Sequence, residues 1–390
     1  MTRSTGSPLS SSSRAAASWL TLAALSALKT VSAIPCAAFD GTGTNAYVFG
    51  APYGDLSLGS DLTDPSAFVS LTNKTGRPDF TGSNTQCFVN QFTNGLYVLG
   101  ATNNSTNTAY IYDFISQSWS TQQLSGGPDP ASYTAILDHD TNVLYAYANG
   151  TMNALAFDQS KAVATSSAIE WQTDAAVNAE PFDDTAAYQP VMGAANNHIQ
   201  FFNTPGSSAG EGYIFVIHYA YWQPEAQSFG AALPNSFGQT VTILSNSSAA
   251  PNTFAFIPEN GNGTYVVNAK SNTTEVYPGP SSSDSTARYG ASTSGLLQVT
   301  GNGSLSFFNF GSGNQTWTSI DVSSFKTMNT SSTPANTSAA PSAASSTAVG
   351  LGPNAAAPSA SVTGAAVSGM TVNAIPTLAL SLVGLLAVLW

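Results

Sequence analysis

Between positions 34 and 327 the apolar residues come in runs of about four to seven, separated by Gly, Asn, Ser and Pro, with no sustained helical periodicity. Short apolar runs bounded by turn residues predict strands, so this body reads as all-β. The runs also recur. AYVFGAP (46 to 52), LYVLGAT (96 to 102) and LYAYANG (144 to 150) set Gly50, Gly100 and Gly150 fifty residues apart. HIQFFNTPG (198 to 206), TFAFIPENG (253 to 261) and LLQVTGNG (296 to 303) extend the series to six units, spaced by roughly forty to fifty-five residues.

Most units carry a second strand after the turn, such as AYIYDF (109 to 114), GYIFVIHY (212 to 219) and SLSFFNF (304 to 310). An aromatic follows: Trp119, Trp171, Phe229, Tyr277 and Trp317. A further apolar stretch precedes each pair, as in QCFVNQF (86 to 92) and YTAILDH (133 to 139). Four short strands per unit at this period is the pattern of a β-propeller blade. Six blades are expected, with seven as the alternative because 206 to 252 is long enough to hold extra strands. A pair of β-sandwiches and a β-helix are the competing architectures.

Tyr97-Val98-Leu99-Gly100-Ala101, then Tyr112-Asp113, then Trp119, resemble a blade of the kelch and galactose-oxidase-like propellers. In that family the second position after the strand is also Gly, and Trp stands six residues after the Asp. Only the Trp119 unit keeps this spacing. The resemblance implies a propeller over 34 to 327, with Trp119 packing between blades and Tyr112-Asp113 serving packing and a turn. Copper radical oxidases of this architecture need a Cys-Tyr cross-link with two His and a further Tyr. Here His139, His198 and His218 are far apart, which argues against that chemistry and against any cofactor.

The ends read differently. Residues 1 to 33 have a Ser-rich start with Arg3 and Arg14, the apolar run AAASWLTLAALSAL, and TVSA with small or aliphatic residues at Val31 and Ala33. That is the pattern of a cleaved secretory signal; a short N-terminal anchor is the alternative. From 328 to 370 the chain is almost wholly Ser, Thr, Ala, Pro and Gly, which predicts a disordered stalk of O-glycosylated type. Residues 371 to 390 end in the apolar AIPTLALSLVGLLAVLW. A small triplet at Gly364-Ala365-Ala366, a spacer and this tail match a glycosylphosphatidylinositol (GPI) signal with attachment at Gly364. Ser368-Gly369 and Asn354-Ala355-Ala356 are other attachment points, and a C-terminal transmembrane helix is the other reading of the tail.

Charge and sequons agree with a cell-surface or cell-wall address. The chain has 9 basic and 21 acidic residues, and Arg3, Arg14 and Lys29 fall in the leader. So acidic a surface repels phosphate backbones, which excludes nucleic acid as a partner. N-glycosylation sequons stand at Asn73, Asn103, Asn104, Asn149, Asn246, Asn262, Asn272, Asn302, Asn314, Asn329 and Asn336. The two cysteines, Cys36 and Cys87, are expected to form one disulfide in an oxidising compartment.

Candidate chemistry is sparse. Asp138-His139-Asp140 sits where a blade needs its first hairpin turn. Glu180, Asp183 and Asp184 form the best acidic cluster, suited to glycoside hydrolysis or calcium, although a solvated loop is the plainer reading. No metal-spaced Cys or His pairs, serine elbow or phosphate loop is present. HYAYWQPEAQSF (218 to 229) gathers Tyr219, Tyr221 and Trp222 around Glu225. Strand alternation puts Tyr219 and Tyr221 on one face and Trp222 on the other, a set able to stack on sugar rings. Blade packing is the competing role. These features predict a non-enzymatic surface glycoprotein that binds an extracellular glycan or protein, with an extracellular carbohydrate-active enzyme as the alternative.

Overall fold

The computed structural model describes residues 33–330, apart from 104–105, 175, 183–189 and 235. These residues form six sheets, each with four antiparallel strands laid down in chain order. The innermost strands are Cys36–Phe39, Gln86–Asn90, Thr134–Asp138, Val191–Ala195, Gly238–Thr242 and Arg288–Ser292. Each touches the next, and the first touches the last, so the sheets close into a six-bladed β-propeller. The segment 206 to 252 holds the remaining strands of blade four and the first strand of blade five, not a seventh blade.

Six apolar clusters lie in the six gaps between blades, one cluster per gap. The second strand of a blade explains how. Gly95–Leu99 is buried throughout. Leu96 and Val98 face blade one, whereas Tyr97 and Leu99 face blade three. A strand buried on both faces needs apolar residues at every position, which is why these strands read as unbroken apolar runs. The regular glycines terminate them: Gly50, Gly100 and Gly150 have φ of 72°, 63° and 75°. A Cβ on Gly100 would also stand 2.6 Å from the carbonyl oxygen of Asn84.

Trp119 packs in the gap between blades one and two, edge-on to Phe49 at 5.4 Å. Tyr112 opposes it in register. Asp113 accepts from the backbone N–H of Ile115 and the hydroxyl of Ser116, closing the turn. Both roles agree with those expected from the Tyr-Asp-Trp spacing.

Among the described residues no strand is exchanged between the first and last blades, and their closure rests on packing. Leu297, Val299, Leu305, Ile320 and Val322 pack against Phe39, Val48 and Leu56 of blade one. A helix, Ser323–Thr330, follows the last strand, and the ring of its Phe325 stacks on Phe68 of blade one at 6.5 Å. The disulfide Cys36–Cys87 joins the inner strands of blades one and two. A fifth strand, Ile169–Glu170, runs parallel to the outer strand of blade two before the chain enters the outer strand of blade three.

Inner strands of adjacent blades do not share a ladder, and polar side chains bridge them instead. Asn90 donates to the carbonyl of His139, Thr242 to that of Ala194, and Gln239 to that of Ala287. Where blades diverge around an axis, side-chain-to-backbone bonds of this kind satisfy groups that a flat sheet would pair directly.

Candidate functional site

The axial channel is closed at one end and open at the other. The closure is the connection between the first two strands of blade five, residues 243 to 252, which is longer than its counterparts in the other blades. Leu244 bridges Ser292 of blade six, and its carbonyl lies against Gly43 of blade one. Gln91 of blade two donates to the carbonyls of Ser247 and Ala249 and accepts from the N–H of Ser245. Pro251 accepts from the N–H of Asn196 in blade four. One loop thus reaches four other blades and plugs the channel.

His139 stands beside this plug. Its Nδ1 accepts from the backbone N–H of Gln91 at 3.1 Å, and burial pulls its pKa down to about 4. Its neighbour Asp138 ends the inner strand and accepts from the backbone N–H and hydroxyl of Thr141. The Asp-His-Asp triplet is therefore a hairpin turn, as its sequence context suggested.

The open end is formed by the segments that lead from each outer strand into the next inner strand. There a cavity of about 280 Å³ is lined by Gln86, Thr134, Phe237, Gln239, Glu259 and Arg288, among others. A narrower chamber of about 90 Å³ continues towards the plug, and Gln239 and Arg288 line both. Gln86 and Gln239 spend their amide N–H groups on Pro130 and Ala287. Their carbonyl oxygens have no donor among the described residues. Thr134 Oγ1 is buried without a partner. Phe237 is 45% exposed at the rim.

Arg288 is half-buried at the base of this mouth. Its Nε donates to the carbonyl of Thr85 at 3.2 Å and its Nη1 to that of Ala287 at 2.9 Å. Burial draws its pKa down to about 10, so the guanidinium stays charged at neutral pH. The body's other arginine, Arg77, is consumed structurally. It grips the fully buried Asp55 through Nε and Nη2 and lies over the ring of Phe80.

Of the residues expected to bind or catalyse, Glu180, Tyr219, Tyr221, Trp222 and Glu225 do not line this mouth. Trp222 is fully buried between blades three and four against Phe201, Phe215 and Phe182. It pairs with Phe215 as Trp119 pairs with Tyr112, so Trp222, not Phe229, is the structural counterpart of Trp119 in blade four. The expectation that it presents a face to ligand is corrected. The alternation behind it also fails: Ile217–Tyr219 is a 3-10 turn, and Ala220 adopts a left-handed conformation. Tyr219 and Tyr221 are 75% and 37% exposed, and Glu225 is exposed nearby in the chain, all on the outer edge of blade four, away from the channel.

Glu180 is half-buried between Asn178, which bonds the backbone of Trp222, and Phe182 in the gap between blades three and four. It does not line the mouth. Asp183 and Asp184 lie outside the described residues, as do Asn104, Asn336, Gly364, the leader up to residue 32 and the tail from 331. The side chain of Asn329 is also outside them. Every other sequon asparagine, namely Asn73, Asn103, Asn149, Asn246, Asn262, Asn272, Asn302 and Asn314, is exposed. Among the described residues no group of three or more His, Cys, Asp or Glu is placed to hold a metal ion, and no helix is long and apolar enough to cross a membrane.

Sequence reasoning missed Arg288, Gln86 and Gln239 as site residues. The available signal was the scarcity of arginine: only Arg77 and Arg288 occur in the body, and Arg288 remains once Arg77 is paired. The chain matches no protein-family model, and no curated protein is significantly similar to it.

Proposed function

We propose that this chain is a secreted, GPI-anchored, kelch-like surface glycoprotein whose propeller binds an extracellular glycan without catalysis. The mouth carries this reading. It is a concave cavity of about 280 Å³, near the lower end of the ~300–1,000 Å³ typical of small-molecule sites. An exposed aromatic, Phe237, stands at its rim, and amide and hydroxyl groups with spare hydrogen-bonding capacity line its wall. An aromatic face stacks on the apolar face of a sugar ring, and amides and hydroxyls take its hydroxyls. The exposed sequons and the Ser/Thr-rich segment support the surface address.

A glycan array with the soluble body tests the binding reading. Saturable binding with no released product supports it. Phe237→Ala should weaken that binding, and unchanged binding would move the site elsewhere. The enzyme alternative is the one the sequence offers, Asp183 or Asp184 acting with Glu180. Released sugar, abolished by Asp183→Asn or Asp184→Asn, would establish it. For the anchor, phosphatidylinositol-specific phospholipase C should shed the protein from intact cells, whereas retention would favour a transmembrane tail.

A further inference from the structure

We infer that the ligand of the channel mouth carries a carboxylate, which pairs with Arg288, as in a uronic acid residue of an acidic glycan. This rests on the glycan-binding reading above and names its substrate class.

Among the described residues Arg77–Asp55 is the one ion pair, so Arg288 has no carboxylate in contact. The carboxylate that most influences it, Asp284, is occupied by the backbone N–H and hydroxyl of Thr286 and the N–H of Gly301. A guanidinium has five N–H donors. Arg288 uses one on Thr85 and one on Ala287, and the remaining three have no acceptor among the described residues. A partly desolvated cation with no carboxylate in contact is costly unless something completes it. Because Arg288 lines the open mouth, a ligand can reach it.

The chemistry of the surroundings selects the anion. One guanidinium fork matches one carboxylate in bidentate geometry. A phosphate dianion asks for more positive charge, yet among the described residues the mouth offers no second cation and is lined by Glu259. The carbonyl oxygens of Gln86 and Gln239 accept from hydroxyls, and Thr134 Oγ1 either donates or accepts. Phe237 supplies the apolar face. A carboxylate, several hydroxyls and a ring face together describe a sugar acid. Arg288 also ties the start of blade six to Thr85 before blade two, so its substitution alone does not separate binding from folding.

The test therefore reads the unmodified side chain. The full sequence contains four arginines, Arg3, Arg14, Arg77 and Arg288, and the secreted body keeps two, so an arginine Nε–Hε correlation spectrum of the body is nearly empty. Arg77, clamped on Asp55, is an internal control. Titration with D-glucuronate should shift the Arg288 signal saturably and leave Arg77 in place, while D-glucose leaves both in place. Arg288→Gln, with its Arg77 signal unchanged as proof of folding, should lose at least about tenfold in glucuronate affinity, or ~1.4 kcal/mol. Arg288→Lys should recover only part, because it keeps the charge and loses the fork. If glucose shifts mouth amides as strongly as glucuronate with Arg288 still, the carboxylate assignment is wrong and the glycan reading stands. If inorganic phosphate shifts Arg288 at lower concentration than glucuronate does, the assignment of the anion is overturned. No shift from any of the three overturns the inference, and the glycan array then judges the binding reading by itself.

Discussion

The ring centroids of Trp222 and Phe201 lie 4.7 Å apart, and none of the Trp222 surface reaches solvent. The indole fills the gap between blades three and four, next to two tyrosines that face water. Trp222→Ala should therefore destabilise the body by ~3–5 kcal/mol, whereas Tyr219→Ala and Tyr221→Ala should stay within ~0.5 kcal/mol. Trp222→Phe should cost less than Trp222→Ala, since the indole N–H has no partner. Denaturant unfolding of the four variants measures this, and equal losses at positions 221 and 222 would contradict the packing assignment.

Arg77 and Asp55 form the second sensitive pair. The carboxylate is fully buried and also accepts from the N–H of Gly50, which fixes the bulged second strand of blade one. Removing the cation leaves a buried anion, so Arg77→Ala should cost ~3–5 kcal/mol. The double variant Arg77→Ala/Asp55→Ala should recover part of that loss. A double variant as damaged as the sum of both singles would show that the pair is not coupled.

Stability should fall in mild acid. In the unfolded chain His139 titrates near ~6.5, but in the fold burial holds it at about 4, and protonation would also sacrifice the bond that Nδ1 accepts from Gln91. The unfolded state takes the proton first, so this contribution is complete above ~6.5 and is lost as the pH falls towards 4. Its full size is ~3 kcal/mol. Burial raises the pKa of Asp138, which acts in the opposite sense. The difference between wild type and His139→Gln across pH 4 to 7 isolates the histidine, and parallel pH profiles would refute its role.

The disulfide closes a separation of 51 residues. By chain entropy a loop of that size is worth up to ~4 kcal/mol, so Cys36→Ala/Cys87→Ala should lose ~2–4 kcal/mol while keeping the propeller. Melting followed by circular dichroism would check both halves of this expectation.

Much of the architecture was legible because a propeller repeats. In the first three blades a positive-φ glycine stands near the end of the second strand, so Gly50, Gly100 and Gly150 can be aligned without coordinates. The cysteine pair was legible because the chain contains only two. The aromatic series was less secure. Trp222 was displaced from it because the 3-10 turn and the left-handed Ala220 break the alternation on which a face assignment depends.

What the sequence determined by itself was local: strand positions, turn glycines, exposed sequons and the composition of the two ends. Short apolar runs and a repeat near fifty can be read along the chain, and they survive in one dimension. The plug and the mouth were decided by ring closure. Gln91 meets Ser247 across 156 residues, and Arg288 meets Thr85 across 203, distances over which no sequence pattern carries information. Only the closed ring brings those inner strands around one axis, where a long loop of blade five seals one end and a guanidinium with no carboxylate in contact lines the other.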